Sequence, residues 1–130
     1  MRVLVADNDS TWLDLVVLDL GLEGHDVVGR AMSGAETLSL LADLPEVDVL
    51  VVDHRMPPGI TGLEVVREVR RIRPEVHTIL FTNYVDPDLA GLVDAAGGVL
   101  VPKHSLRRLR EAVEAASARR VNRRGQAPPR

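Results

Sequence analysis

The chain has 130 residues, 45% hydrophobic and 27% charged, which is one domain's worth of a soluble globular composition with a single core. It has no cysteine, which excludes disulfides, a thiolate zinc site and a cysteine nucleophile. The formal charge of −3 divides into −8 for residues 1–116, which hold all 19 acids against 11 basic residues, and +5 for residues 117–130. An acidic body has no basic face for phosphates, so direct nucleic-acid binding by the domain is not expected.

The elements alternate along the chain. Val3 to Ala6 is a short apolar run of the kind buried on both faces of a parallel sheet. Asp9 or Ser10 can cap a helix carrying Leu13, Val16, Val17 and Leu20, with its end near Gly24. A second, weaker strand begins at Asp26. Ser33 and Glu36 have capping-box spacing for a helix that stops at Pro45. Residues 48–53 form a third strand, apolar between its two aspartates and therefore central. Thr61 and Glu64 repeat the capping-box spacing, opening a helix with Val65, Val66, Val69 and Ile72 on one side. Residues 76–82 are the fourth strand. Asp86 and Pro87 start a fourth helix as cap and first residue, weakened by its glycines. Val99 to Val101 is the fifth strand, and Ser105 caps a last helix running through Leu106, Leu109, Val113 and Ala116. Beyond it, residues 117–130 have no apolar face and are expected to be a basic disordered tail or a truncated linker.

Five strands alternating with five helices imply a three-layer α/β domain over residues 1–116, with one doubly wound parallel sheet. Ligands of such sheets bind outside the carboxyl ends of the strands. That singles out Asp7, Asn8 and Asp9 after the first strand and Asp53 after the third. It also singles out Thr82 and Asn83 after the fourth strand, and Lys103 after the fifth. Any one of these acids alone reads as a helix cap. Together they crowd carboxylates into one pocket, which favours a cation, and oxygen ligands with water select Mg²⁺. An ammonium and a hydroxyl beside them complete a site for a phosphoryl group, with a carboxylate able to accept it. The other 15 basic residues are all Arg, so the single lysine at this place is notable: a compact ammonium fits beside phosphate where a guanidinium fork does not substitute simply.

These residues resemble the receiver domain of two-component response regulators over about residues 1–116. The resemblance rests on Val3-Leu4-Val5-Ala6-Asp7-Asn8-Asp9, on Asp53-His54-Arg55-Met56-Pro57 and on Gly62-Leu63-Glu64. It extends to Leu80-Phe81-Thr82 and Val101-Pro102-Lys103. It implies a flavodoxin-like (βα)5 fold with strand order 2-1-3-4-5. Asp53 would be the phosphoacceptor, taking its phosphoryl group from a sensor histidine kinase or a phosphotransfer protein. Mg²⁺ would be held by Asp7, Asp53 and the backbone carbonyl of Arg55, with Asn8 or Asp9 as a further ligand. Lys103 and Thr82 would contact the phosphoryl group. The protein would then be a signalling switch that takes part in its own phosphoryl transfer and hydrolysis. Its output would be a downstream protein or a DNA-binding domain, and a homodimer would form through the fourth helix, fifth strand and fifth helix.

The sequence departs from the family at several points. Asn8 stands where a second acid is usual, and Leu100 occupies the aromatic switch position. Asn83 replaces a small residue at the entrance, and the loop at 57–62 is one residue longer. Asn8 and Leu100 favour an alternative, a pseudo-receiver that binds partners without phosphorylation. Asp7-Asn8-Asp9-Ser10-Thr11 also resembles the first motif of haloacid-dehalogenase-type phosphohydrolases, with Asp7 as nucleophile. That family needs a pair of acids on a strand after the lysine, and only Glu111 and Glu114, inside a helix, follow Lys103. The apolar runs are too short to span a membrane, and Asp7 follows the N-terminal apolar run too closely for a secretory signal, so a cytoplasmic location is expected.

Overall fold

In the computed structural model the described residues are 1–123, with side chains described through 119. Five strands and five helices alternate: β1 (Arg2–Ala6), α1 (Ser10–Leu22), β2 (Asp26–Ala31), α2 (Gly34–Asp43), β3 (Val49–Val52), α3 (Gly62–Ile72), β4 (His77–Thr82), α4 (Pro87–Ala95), β5 (Val99–Pro102) and α5 (Leu106–Arg123). All neighbouring strands are parallel, in the order β2-β1-β3-β4-β5.

The central strands are apolar throughout because both faces are covered, and the two-residue period of a strand divides their side chains between two cores. Leu4, Ala6, Leu50, Val52 and Leu80 point to the layer of α2, α3 and α4. Val3, Val5, Val49, Val51, Ile79 and Phe81 point to the layer of α1 and α5. β2, at one edge, is only partly buried and is irregular in register between Val3 and Leu4 of its partner.

The helix starts follow the capping signals. Asp9 caps α1, Ser33 caps α2, Thr61 and Glu64 form a reciprocal capping box on α3, and Asp86 with Pro87 opens α4. Ser105 Oγ accepts the Arg108 N–H at the start of α5. α1 ends in a Schellman motif: the Gly24 N–H donates to Gly21 O and the His25 N–H to Leu20 O, with Gly24 at φ 88°. The stretch expected from residue 117 to be a disordered tail or a truncated linker begins as helix, since α5 runs through Arg123. Ala116 is buried, and the helix continues for seven more residues beyond it. Residues 124–130 of the expected tail lie outside the described residues.

The functional end of the sheet is held by ladder bonds that run one residue past the strands. Asp7 N–H donates to Ala31 O, Asp53 N–H to Ala6 O and Lys103 N–H to Thr82 O, each at 3.0 Å. After Asp53 the chain is pinned by Met56, fully buried against the α2–α4 core. It then returns to the strand end at Gly62, whose N–H donates to His54 O at 2.8 Å. A Cβ at Gly62 would collide with the Asp53 carbonyl oxygen and with Leu80. Only glycine therefore lets α3 begin against the end of β3. Gly62→Ala is expected to cost about 1–3 kcal/mol through this overpacking. In urea the unfolding midpoint should fall with an unchanged slope, and an unshifted midpoint would contradict the close approach.

Candidate functional site

Asp7, Asp53, Thr82 and Lys103 converge at the carboxyl ends of four strands, and all four side chains are buried, at 4%, 8%, 2% and 5% exposure. Lys103 Nζ donates to Asp7 Oδ2 at 2.6 Å and lies 3.4 Å from Asp53 Oδ2. The other carboxylate oxygens are met by backbone. Asp7 Oδ1 accepts the Asp9 N–H at 2.9 Å, and Asp53 Oδ1 accepts the His54 N–H at 2.8 Å. Thr82 Oγ1 accepts the Tyr84 N–H at 3.1 Å, which fixes the hydroxyl at the mouth of β4. Asp53, Thr82 and Lys103 open onto a cleft of about 370 Å³, also lined by Asn8, Asp9, Trp12, Arg55, Asn83 and Tyr84.

The electrostatics follow from burial. Two carboxylates share one ammonium with little water. Burial pushes the Asp7 carboxyl above its ordinary value; the hydrogen bonds from Lys103 and the Asp9 N–H oppose that, and the charge of Asp53 adds to it. The site is short of positive charge and long on oxygen, which suits a hard cation. Mg²⁺ is typically held by one or two carboxylates with water completing its shell, and Asp7 and Asp53 supply that number. Among the described residues no three His, Cys, Asp or Glu side chains are grouped to hold a metal. An all-protein cage is therefore not what this site offers.

The remaining expected site residues fall into distinct places. Asn8 is exposed at the rim. Asp9 also lines the cleft, but its Oδ1 accepts the Thr11 and Trp12 N–H groups, so its carboxylate caps α1. Asn83 is exposed, and both it and Arg55 line the cleft. Leu100 packs, half-buried, against the α2–α4 core rather than lining the cleft. The phosphohydrolase alternative needs a pair of acids on a strand after the lysine, and among the described residues no strand follows β5.

One feature of the cleft escaped the sequence reading. Tyr84 stacks on His54 with ring centroids 5.9 Å apart, and the Arg55 guanidinium lies 4.0 Å from the Tyr84 centroid. Burial holds the His54 imidazole below its ordinary pKa, which favours the neutral ring in this stack. The loops after β3 and β4 thus meet through aromatic and cationic surfaces beside Asp53. The signal available in the sequence was the only tyrosine of the chain standing two residues past Thr82. Trp12, which its position in the sequence puts one turn from the acidic pocket, lines the cleft, and its indole centroid lies 4.8 Å from Lys103 Nζ.

Known proteins resemble this chain in sequence and in fold. The profile of the response regulator receiver domain matches residues 3–114. The hydrogenase transcriptional regulatory protein HoxA of Cupriavidus necator is 35% identical over 122 residues, 87% of this chain and 24% of HoxA. A chemotaxis protein CheY homologue of Campylobacter jejuni is 40% identical over 70 residues, 54% of this chain and 53% of the homologue. The chain therefore spans between a quarter and about half of these relatives. Among solved structures, the signal receiver domain of the putative response regulator NarL from Mycobacterium tuberculosis superposes with a TM-score of 0.77 at 33% identity, covering 89% of this chain and 95% of that one. The response regulator TrrA of Thermotoga maritima, solved in complex with Mg²⁺-BeF, gives 0.78 at 30% identity over 88% of this chain and 97% of that one. With the strand order, the acidic strand ends and the buried lysine already in place, the chain belongs to the response regulator receiver domain family, a family of signalling switches.

Proposed function

We propose that this receiver is switched by phosphorylation of Asp53, with Mg²⁺ as the cofactor and a sensor histidine kinase or phosphotransfer protein as the donor. The observation that carries the reading is Lys103 Nζ, buried between Asp7 and Asp53 at 2.6 and 3.4 Å. A carboxylate oxygen of Asp53 attacks the phosphorus of a phosphohistidine, forming an O–P bond as the N–P bond breaks. The Lys103 ammonium exchanges part of its contact with the carboxylates for the incoming phosphoryl oxygens, and the Thr82 hydroxyl turns from the Tyr84 N–H to donate to them. Mg²⁺, held by Asp7, Asp53 and the Arg55 carbonyl, would neutralise charge during transfer. The occurrence of TrrA with Mg²⁺-BeF supports such a site in a relative of the same fold. The acyl phosphate is then lost by hydrolysis in the same pocket.

The output follows from differential contact: Thr82 and Lys103 bind the phosphorylated form better and shift the population of the β4–α4 and β5 surface. Leu92 and Val99 expose apolar surface there, suited to a downstream protein or a second copy of the chain. HoxA, a transcriptional regulatory protein, suggests an output domain that binds DNA. No helix among the described residues is long and apolar enough to cross a membrane, which accords with action in the cytoplasm. A second reading, a phosphorylation-independent interaction module, is favoured by exposed Asn8 and by the engagement of Asp9 as a helix cap.

Acetyl phosphate decides between the two. Wild type should gain the mass of one phosphate in the presence of Mg²⁺, and Asp53→Ala should gain none. Absence of labelling on wild type, or equal labelling of Asp53→Ala, would contradict the switch mechanism. The magnesium part has its own readout in Trp12, which lines the cleft. Its fluorescence should change along a saturable Mg²⁺ curve, and a flat titration would contradict binding at Asp7 and Asp53.

A further inference from the structure

Lys103 is the single lysine of the chain, and its ammonium meets two kinds of partner. On one side stand the Asp7 and Asp53 carboxylates. On another lies the Trp12 indole, with its centroid 4.8 Å from Nζ. A cation within about 6 Å of an aromatic centroid is drawn to the ring quadrupole, best for tryptophan and most where water is excluded. Lys103 is buried, so the condition is met.

The indole is itself held in place. It packs edge-on against buried Phe81 of β4, with centroids 5.8 Å apart and planes at 85°. Its backbone N–H donates to Asp9 Oδ1 at the cap of α1. The cap fixes where the helix begins, and position 12 then falls above the pocket. Asn8 adds no charge and Asp9 is occupied by the cap, so only two carboxylates face the lysine and part of its surroundings is left to a neutral group.

We propose that Trp12 is a positioning residue whose indole face holds the Lys103 ammonium in its place between Asp7 and Asp53. A third carboxylate could hold the lysine too, but it would cancel the charge that an incoming phosphoryl group needs. An uncharged ring restrains the ammonium and leaves that charge available. The functional consequence rests on the reading of Lys103 as the phosphoryl contact, whereas the placement of the side chain does not.

The single lysine makes the test direct, because ¹³C-lysine labelling of the full chain gives one ε-methylene signal. Wild type, Trp12→Phe and Trp12→Leu are compared after their folding has been checked by circular dichroism. In wild type the ε-protons should be shifted upfield by the indole ring current, and the ε-carbon should be rigid on the ps–ns scale. Trp12→Leu keeps an apolar side chain without a π-face, and it should lose the shift and free the ε-carbon. Trp12→Phe should retain rigidity between the two. With acetyl phosphate, Trp12→Leu should label about tenfold more slowly than wild type, with Trp12→Phe intermediate. An unshifted lysine in wild type, or a lysine equally shifted and rigid in Trp12→Leu, would overturn the proposal. A freed lysine with an unaltered labelling rate would overturn its part in transfer. If wild type takes no phosphate, the switch reading falls while the lysine signal still decides the placement. Should Trp12→Leu fail to fold, the wild-type shift and its comparison with Trp12→Phe carry the decision.

Discussion

One buried ion pair ties the molecule's functional end together. Lys103, after the edge strand β5, reaches Asp7, after β1, although β4 and β3 lie between those strands in the sheet. The groups are 96 residues apart in sequence and almost fully shielded from water. Removing ions from water is expensive, and such a pair persists only when geometry and further hydrogen bonds offset the desolvation. Here the backbone N–H groups of Asp9 and His54 supply those bonds to the two carboxylates. The ladder bonds of Asp7, Asp53 and Lys103, which run one residue past their strands, hold the three backbones in register. Pair, register and helix starts therefore support one another.

The same arrangement makes the site responsive. Burial raises the Asp7 pKa despite the bond to Lys103, and the pocket sets two carboxylates against a single ammonium. On the proposed function, a divalent cation would relieve that imbalance, and a phosphoryl group would then compete with the carboxylates for the lysine. What would transmit such a change differs from the aromatic switch that the family resemblance implies. Leu100 sits in the core and offers no ring to swing, while Tyr84, stacked on His54 and close to Arg55, stands at the cleft itself.

Much of this was legible in the sequence because it depends on local rules. Strand ends can be found from apolar runs and caps, and a parallel sheet sends its strand ends to one edge, so Asp7, Asp53, Thr82 and Lys103 could be grouped without coordinates. The Thr61–Glu64 capping box and the Asp86-Pro87 start hold as read. Contacts between side chains on different loops carry no such period. The stacking of Tyr84 with His54 and the indole beside Lys103 depend on rotamers and loop paths that spacing does not encode. Asp9 shows the ambiguity within one residue: an acid after a strand suits both a metal and a helix cap, and here its Oδ1 caps α1. The length of α5 escaped for the opposite reason. An amphipathic stripe marks where a helix is buried, not where it stops, and α5 continues past Ala116 to Arg123.

The central claim is that the Lys103 ammonium and the Asp7 carboxylate interact strongly inside the protein. A double-mutant cycle in unfolding free energy, with Asp7→Asn, Lys103→Met and the two combined, measures that interaction apart from the effect of each single change. The account predicts a favourable coupling of about 2 kcal/mol, in the range measured for close, desolvated charge pairs. Single effects that add to within about 0.5 kcal/mol would contradict it, since groups that do not interact behave that way.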